Sequence, residues 1–179
     1  MKAEPDLQPT LNGQRVIVRP IHADDWAAMF SAASDPEIWV LHPVKDRYTE
    51  PVFRLFFDGA VACGSAFAFV DRATGKIIGS SRYYGHEAEA SEIEIGWTFL
   101  ACDYWGGSYN QEVKQLMLDH AFTFVDTVVF SVGETNFRSR RAMEKIGGVL
   151  REGVHLREAT GDVPHVVFEI KRERPAGTK

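Results

Sequence analysis

Glu92-Ile-Glu-Ile-Gly-Trp-Thr-Phe-Leu-Ala-Cys-Asp-Tyr-Trp-Gly-Gly-Ser-Tyr-Asn-Gln-Glu112 is the stretch that decides the fold. Glu92 to Leu100 alternates, which predicts a strand with Ile93, Ile95, Trp97 and Phe99 on one face and Glu92, Glu94, Gly96 and Thr98 on the other. From Ser108 to Val125, Tyr109, Val113, Leu116, Met117, Ala121 and Phe124 recur at three- and four-residue steps, the pattern of an amphipathic helix. Gly106-Gly107 permits a tight turn between the two, and Asp126 ends the helical pattern. Thr127 to Val132 (TVVFSV) is then a β-branched run of the kind buried on both faces in a parallel pairing. Strand, glycine turn, helix and strand make a βαβ unit with an expected right-handed crossover.

Outward from this unit, Arg15 to Pro20 (RVIVRP) reads as a strand closed by proline, and His22 to Asp25 supplies helix-start acids before Trp26, Met29 and Phe30. A second helix is predicted near Pro51 to Asp58, with Pro51 in its first turn. Ser65 to Asp71 and Lys76 to Tyr84 read as strands joined at Ala73-Thr74-Gly75. Past the unit, Asn136 is placed as a helix N-cap, with Ala142, Met143 and Ile146 inside and Gly147 beyond the end. Val149 to about Leu156 and Val163 to Ile170 close the chain as strands. The class is mixed α/β with one sheet. Met1 to Thr10 and residues 171–179 are expected to be flexible, which leaves one domain over 11–170.

The 179 residues carry 20 Lys and Arg against 25 Asp and Glu, a net charge of -5, which is the wrong sign for gripping nucleic-acid phosphates. Cys63 and Cys102 form no C-x-x-C pair and the six histidines show no ligand spacing, so neither a disulfide scaffold nor a metal site is expected. With no apolar signal core or membrane-length run, the expectation is a cytoplasmic protein without membrane partners.

The N-H groups of the first helical turn after Gly106-Gly107 point outward at a positive dipole end, and a phosphate or pyrophosphate is their natural occupant. The turn matches neither G-x-x-x-x-G-K-[ST] nor G-x-G-x-x-G. A second anchor follows the buried strand: Asn136 to Gly147 reads N-x-x-S-x-x-A-x-x-K-x-G. Together the two segments resemble the GCN5-related N-acetyltransferase (GNAT) family, in particular its ribosomal-protein N-terminus branch (RimJ/RimL-like). The resemblance implies a single-domain acyl-CoA N-acyltransferase fold, with a mostly antiparallel sheet whose two parallel strands splay apart and with helices on its flanks. It implies acetyl-CoA as the acyl donor, lying in that gap with its pyrophosphate on the turn, and an amine as acceptor.

Carried onto this chain, the donor contacts are Phe99, Leu100, Trp105, Gly106, Gly107 and Ser108 around the turn. Tyr109, Asn110, Asn136, Ser139 and Arg141 complete them. The family's turn pattern R/Q-x-x-G-x-G/A falls on Trp105 to Asn110, so Ser108 and Asn110 stand where small residues are usual. The family's proton-donating Tyr, seven residues after the Asn, is Met143 here, and Ser139 inherits the role of acid toward the leaving thiolate, as in the ribosomal branch. The usual Gly-Phe after the helix is Gly147-Gly148. The backbone N-H near Phe99 is the expected oxyanion donor, and Glu94, with Glu92 beside it, the expected base. Arg138, Arg140, Arg141 and Lys145 read mostly as a solvated face, with one or two near the phosphates. Aromatic residues between Trp39 and Tyr48 are candidates for an acceptor pocket. A non-catalytic acyl-CoA sensor with the same fold, a small-molecule amine as acceptor, and a homodimer all stay open.

Overall fold

The computed structural model describes residues 4–153, 155–157 and 163–173. In chain order these form β1 (Leu11–Asn12), β2 (Val16–Pro20), α1 (Trp26–Ala33), α2 (Glu50–Ala62), β3 (Ala66–Asp71), β4 (Ile77–Glu87), β5 (Glu92–Leu100), α3 (Ser108–Ala121), β6 (Thr127–Gly133), α4 (Phe137–Lys145), β7 (Val149–Leu150), β8 (His155–Arg157) and β9 (Val163–Lys171). The nine strands make one sheet in the order β1-β2-β3-β4-β5-β6-β9-β7, with β8 on β9. Every pairing is antiparallel except β5 with β6. Among these residues no helix is long and apolar enough to cross a membrane.

Two apolar layers cover the sheet. Val113, Met117, Leu118 and Ala121 of α3 pack on Ile93, Ile95, Val128 and Phe130. On the other face Met29 and Ala33 of α1 and Phe53, Phe56 and Phe57 of α2 pack with Trp39 on Ala66, Ala68 and Phe99. Each fully buried Phe contributes about 1.5–3 kcal/mol of transfer free energy, so the layers fix which face each helix covers.

Several boundaries depart from the sequence pattern for packing reasons. Helix α2 runs past Asp58 to Ala62 because Phe56, Phe57 and Ala60 continue its buried stripe. Helix α3 stops at Ala121, four residues early; Phe124 and Val125 N-H both return to the Ala121 carbonyl, and the turn drops Val125 into the core. Strand β6 alternates instead of being buried on both faces: Val128, Phe130 and Val132 are buried, whereas Val129 and Ser131 are half-buried. The strand expected over Val149 to Leu156 is two short pieces, β7 and β8. Within the N-terminal segment, Gln8 Nε2 donates to the Ala66 carbonyl (2.8 Å) and Leu7 packs on the α3 layer. Residues 174–179 of the expected tail lie outside the described residues.

The largest correction concerns β5. Ile93 and Ile95 face α3, but Trp97 and Phe99 face α1 and α2. The register to β4 shifts between Ser80 and Arg82, so Trp97 and Thr98 together oppose one residue, and Trp97 takes φ 52°. This β-bulge reverses the alternation and brings Thr98 and Leu100 to the α3 side. A left-handed Trp costs on the order of 1–2 kcal/mol. The ring is held by the Arg82 guanidinium (4.8 Å) and the edge of Tyr84 (5.0 Å). Gly79 on β4 allows the close approach, since a Cβ there would stand 2.3 Å from the Phe99 carbonyl oxygen.

Candidate active site

Pairing of β5 with β6 ends at Glu94↔Val129. Beyond it the strands diverge, and a cleft of about 960 Å³ opens between them, bounded by the start of α3, by α4 and by the Ile38–Arg47 segment. Ala101 N-H donates to the Ile78 carbonyl (2.8 Å), and Ser80 pairs with Phe99 two residues before it. The N-H and C=O of Phe99 therefore point toward β4, and those of Thr98 and Leu100 point into the gap. Near Phe99, where the oxyanion donor is expected, the N-H groups at the open edge are those of Thr98 and Leu100. The Leu100 carbonyl is taken by Trp105 Nε1-H at 2.7 Å.

Gly106, at φ 69°, turns the chain into α3, a conformation that costs other residues on the order of 1–2 kcal/mol. The N-cap Gly107 offers no side-chain acceptor to the first turn. Its donors, with Ser108, Asn110 and Gln111, border the cleft. Nothing lies within 4 Å of where a Cβ of Gly106 or Gly107 would stand, so the approach to these N-H groups is open. Helix α4 starts differently: Asn136 Oδ1 accepts the Ser139 N-H at 3.1 Å, which caps it and fixes Ser139 on the cleft wall. Met143, Arg141 and Lys145 line the same wall. Arg138 is no solvated charge: its Nη2 donates to the Ile38 carbonyl (2.7 Å), its guanidinium lies 4.0 Å over the Trp105 ring, and burial lowers its pKa. It ties the Ile38 segment to the α3 turn.

Of the residues expected to contact the donor, Phe99, Leu100, Trp105, Gly106, Gly107, Ser108, Asn110, Asn136, Ser139 and Arg141 all line this cleft. Tyr109 does not; its hydroxyl donates to Asp71 Oδ1 (3.0 Å) and its ring packs edge-on against Tyr104, because it lies on the core stripe of α3. Neither Glu94 nor Glu92 lines the cleft, and Glu92 is engaged elsewhere. Arg151 binds both of its oxygens and, through Nε, Glu169 Oε2 (2.6 Å), in the part of β5 that is paired on both edges. Glu94 sits at the last pair before the gap, its carboxylate folded over Gly96, where a Cβ would stand 2.8 Å from Oε1.

Two features escape the sequence pattern. Lys114, outside the apolar positions of α3, is 2% exposed and donates from Nζ to Thr98 Oγ1 (2.8 Å), with the Phe130 ring centroid 5.0 Å away. Burial pushes its pKa down to about 7, against the opposing pull of the Glu94 charge. The clue was its spacing, four residues before Leu118 and seven before Ala121, on the buried stripe. His42 and Arg47 line the far end of the cleft with Trp39. Burial, then the Arg47 charge, hold His42 down at about 3, so it is neutral at physiological pH, while Arg47 is lowered to about 10 by burial and the nearby Arg82. Among the described residues no cluster of His, Cys, Asp and Glu could hold a metal ion.

A mixed sheet with one parallel pair that parts over a cleft, beside an uncapped helix start, fits the acetyltransferase class. The chain belongs to the GNAT family: the Acetyltransferase (GNAT) domain model matches residues 15–149. Comparison of the sequence with curated proteins gives no match. Among solved structures, a GCN5-related N-acetyltransferase from Brucella melitensis has a TM-score of 0.81 at 20% identity, with 92% of this chain and 79% of that chain covered. RimJ from Mycobacterium smegmatis, in complex with CoA-disulfide, has 0.73 at 21%, with 98% and 93% covered. At those identities the likeness is one of fold. An acetyltransferase from Agrobacterium tumefaciens has 0.70 at 25%, with 92% and 95% covered.

Proposed function

We propose that this protein is an acetyl-CoA-dependent N-acetyltransferase that acts on a primary amine, a protein N-terminus or a small molecule, by direct attack in a ternary complex. We read it as nearest the RimJ/RimL-like branch. The observation that carries the proposal is the end of β5–β6 pairing at Glu94↔Val129, which leaves backbone donors at an open edge above a cleft that leads to the uncapped start of α3. The RimJ structure of the same fold holds a CoA species, which supports the same assignment here.

When bound, acetyl-CoA supplies an activated thioester. The first-turn N-H groups of α3, with Arg141 and Lys145 across the cleft, bind its anionic pyrophosphate. Thr98 and Leu100 N-H stabilise the negative charge that develops on the carbonyl oxygen, and they do so cheaply because β5 is already held by β4. Ser139 Oγ-H donates its proton to the departing sulfur. Glu94 accepts the amine proton, directly or through water, since an amine of pKa about 8–10 arrives mostly protonated at neutral pH. Trp39, His42 and Arg47 border the side from which the acceptor enters.

The test combines thermal shift with thiol release. CoA and acetyl-CoA should raise the melting temperature well above any shift from ATP or NAD. An amine panel of peptides, amino acids and polyamines should contain acceptors that release CoA thiol. Equal shifts from all nucleotides would remove the CoA assignment. Acetyl-CoA binding with no release from any amine would favour the sensor reading.

A further inference from the structure

We propose that the closed end of the cleft accepts acyl groups that terminate in a carboxylate, with Lys114 as the residue that binds it. The inference rests on the donor-site reading above and adds to it a class of acyl group.

Lys114 occupies a position where an apolar residue would pack without penalty. Its neighbours on α3 are Val113, Met117 and Leu118, and all three are core. The side chain nevertheless carries an ammonium to the place where β5 and β6 separate. Thr98, its hydrogen-bond partner, lies on β5; Phe130, whose ring lies beneath it, is the residue just after Val129, the last of β6 to pair with β5. Nζ thus stands across the floor of the gap, and Lys114 borders the cleft. Among the described residues no carboxylate oxygen comes within 4 Å of it, although Glu94 acts on it at longer range. An ammonium has three donors, and one acceptor, Thr98 Oγ1, is accounted for.

Charging a buried lysine with an incomplete set of acceptors is costly, and a counter-ion removes most of that cost. Donor geometry brings one to the right place. With the pyrophosphate at the start of α3, Lys114 lies about 9 Å further along the helix axis from Ser108, beside the residues at which β5 and β6 part. The methyl of an acetyl group gains nothing from an ammonium. A carboxylate two or three carbons from the thioester gains a charge-assisted hydrogen bond, and Thr98 Oγ1 can stay in the same network. Malonyl and succinyl groups have this form.

The experiment is calorimetric titration of the full chain with succinyl-CoA and with butyryl-CoA, which has the same chain length and a neutral end, using free CoA as the control. Succinyl-CoA is expected to bind at least tenfold more tightly than butyryl-CoA. The ratio should fall to about one or invert in Lys114→Met, which fills the same space, and should be partly kept in Lys114→Arg. Free CoA binding together with equal affinity for the two acyl donors in the native protein would overturn the proposal and leave the donor site intact; this arm needs no variant to fold. A preference that survives in Lys114→Met would overturn the role of Lys114. No binding by any CoA species would overturn the donor-site reading itself, and this proposal with it.

Discussion

From Glu92 to Glu94, β5 is paired to both β4 and β6, and Glu92 is bound by Arg151; from Ile95 to Leu100 it is paired to β4 alone and its other edge borders the cleft. One half of a single strand is therefore scaffold and the other is site. The bulge at Trp97 marks the change and moves Thr98 and Leu100 to the α3 side. A helix on each side of the cleft repeats the contrast. Asn136 caps one first-turn donor of α4, that of Ser139, whereas Gly107 offers no side-chain cap to α3. The concentration of open backbone donors around one cleft is the physical argument for an anionic, carbonyl-bearing ligand there.

The largest effect is expected where the open helix start is closed. Gly107→Pro removes an N-H and fixes the backbone, so the melting-temperature shift from acetyl-CoA should vanish. Next, Ser139→Ala should lower kcat on the order of 10²-fold with little change in acetyl-CoA affinity; unchanged turnover in a chemistry-limited assay removes Ser139 as the acid.

Lys114→Met should stabilise the ligand-free protein near pH 7 on the order of 2 kcal/mol, measured by chemical denaturation. The sign follows from a folded pKa of about 7 against the ordinary lysine value of 10.5. Between these values the unfolded chain binds a proton that the folded chain lacks, so native stability rises with pH across that window. The rise should disappear in the variant. A variant that keeps it would show that Lys114 is not the group responsible.

The smallest effects separate the two carboxylates of β5. Glu94→Gln should lower kcat/KM about tenfold where the acceptor amine is protonated, with partial rescue at higher pH. Glu92→Gln should leave the pH profile alone and cost about 1 kcal/mol or less of stability, since its contacts with Arg151 are partly solvated. The reverse assignment would move the base from the last paired residue before the gap to a carboxylate held by Arg151 two residues further from it.

Local signals carried most of the fold into the sequence. The alternation of Glu92 to Leu100, the helical steps after Ser108 and the Asn136 cap each depend on residues within one or two turns of one another. What they could not show depends on distant partners. The bulge at Trp97 is set by Gly79 and Ser81 on β4; Arg151, which claims Glu92, is 59 residues away. Tyr109 fits the helical stripe equally well as core or as ligand contact, and only Asp71 on β3 decides it. Lys114 was hidden for the opposite reason. A lysine inside an apolar stripe looks like a phase error until the two strands above it are known to part.

Hydrogen exchange with and without acetyl-CoA tests the central claim most directly, because it reads backbone donors residue by residue. The amides of Thr98, Leu100 and the Gly106–Ser108 turn should become protected on binding, while Glu92 to Glu94, already paired on both edges, should not change. Protection that skips the β5 edge, or that falls on residues outside the cleft, would contradict the assignment of the gap between β5 and β6 as the acyl-donor site.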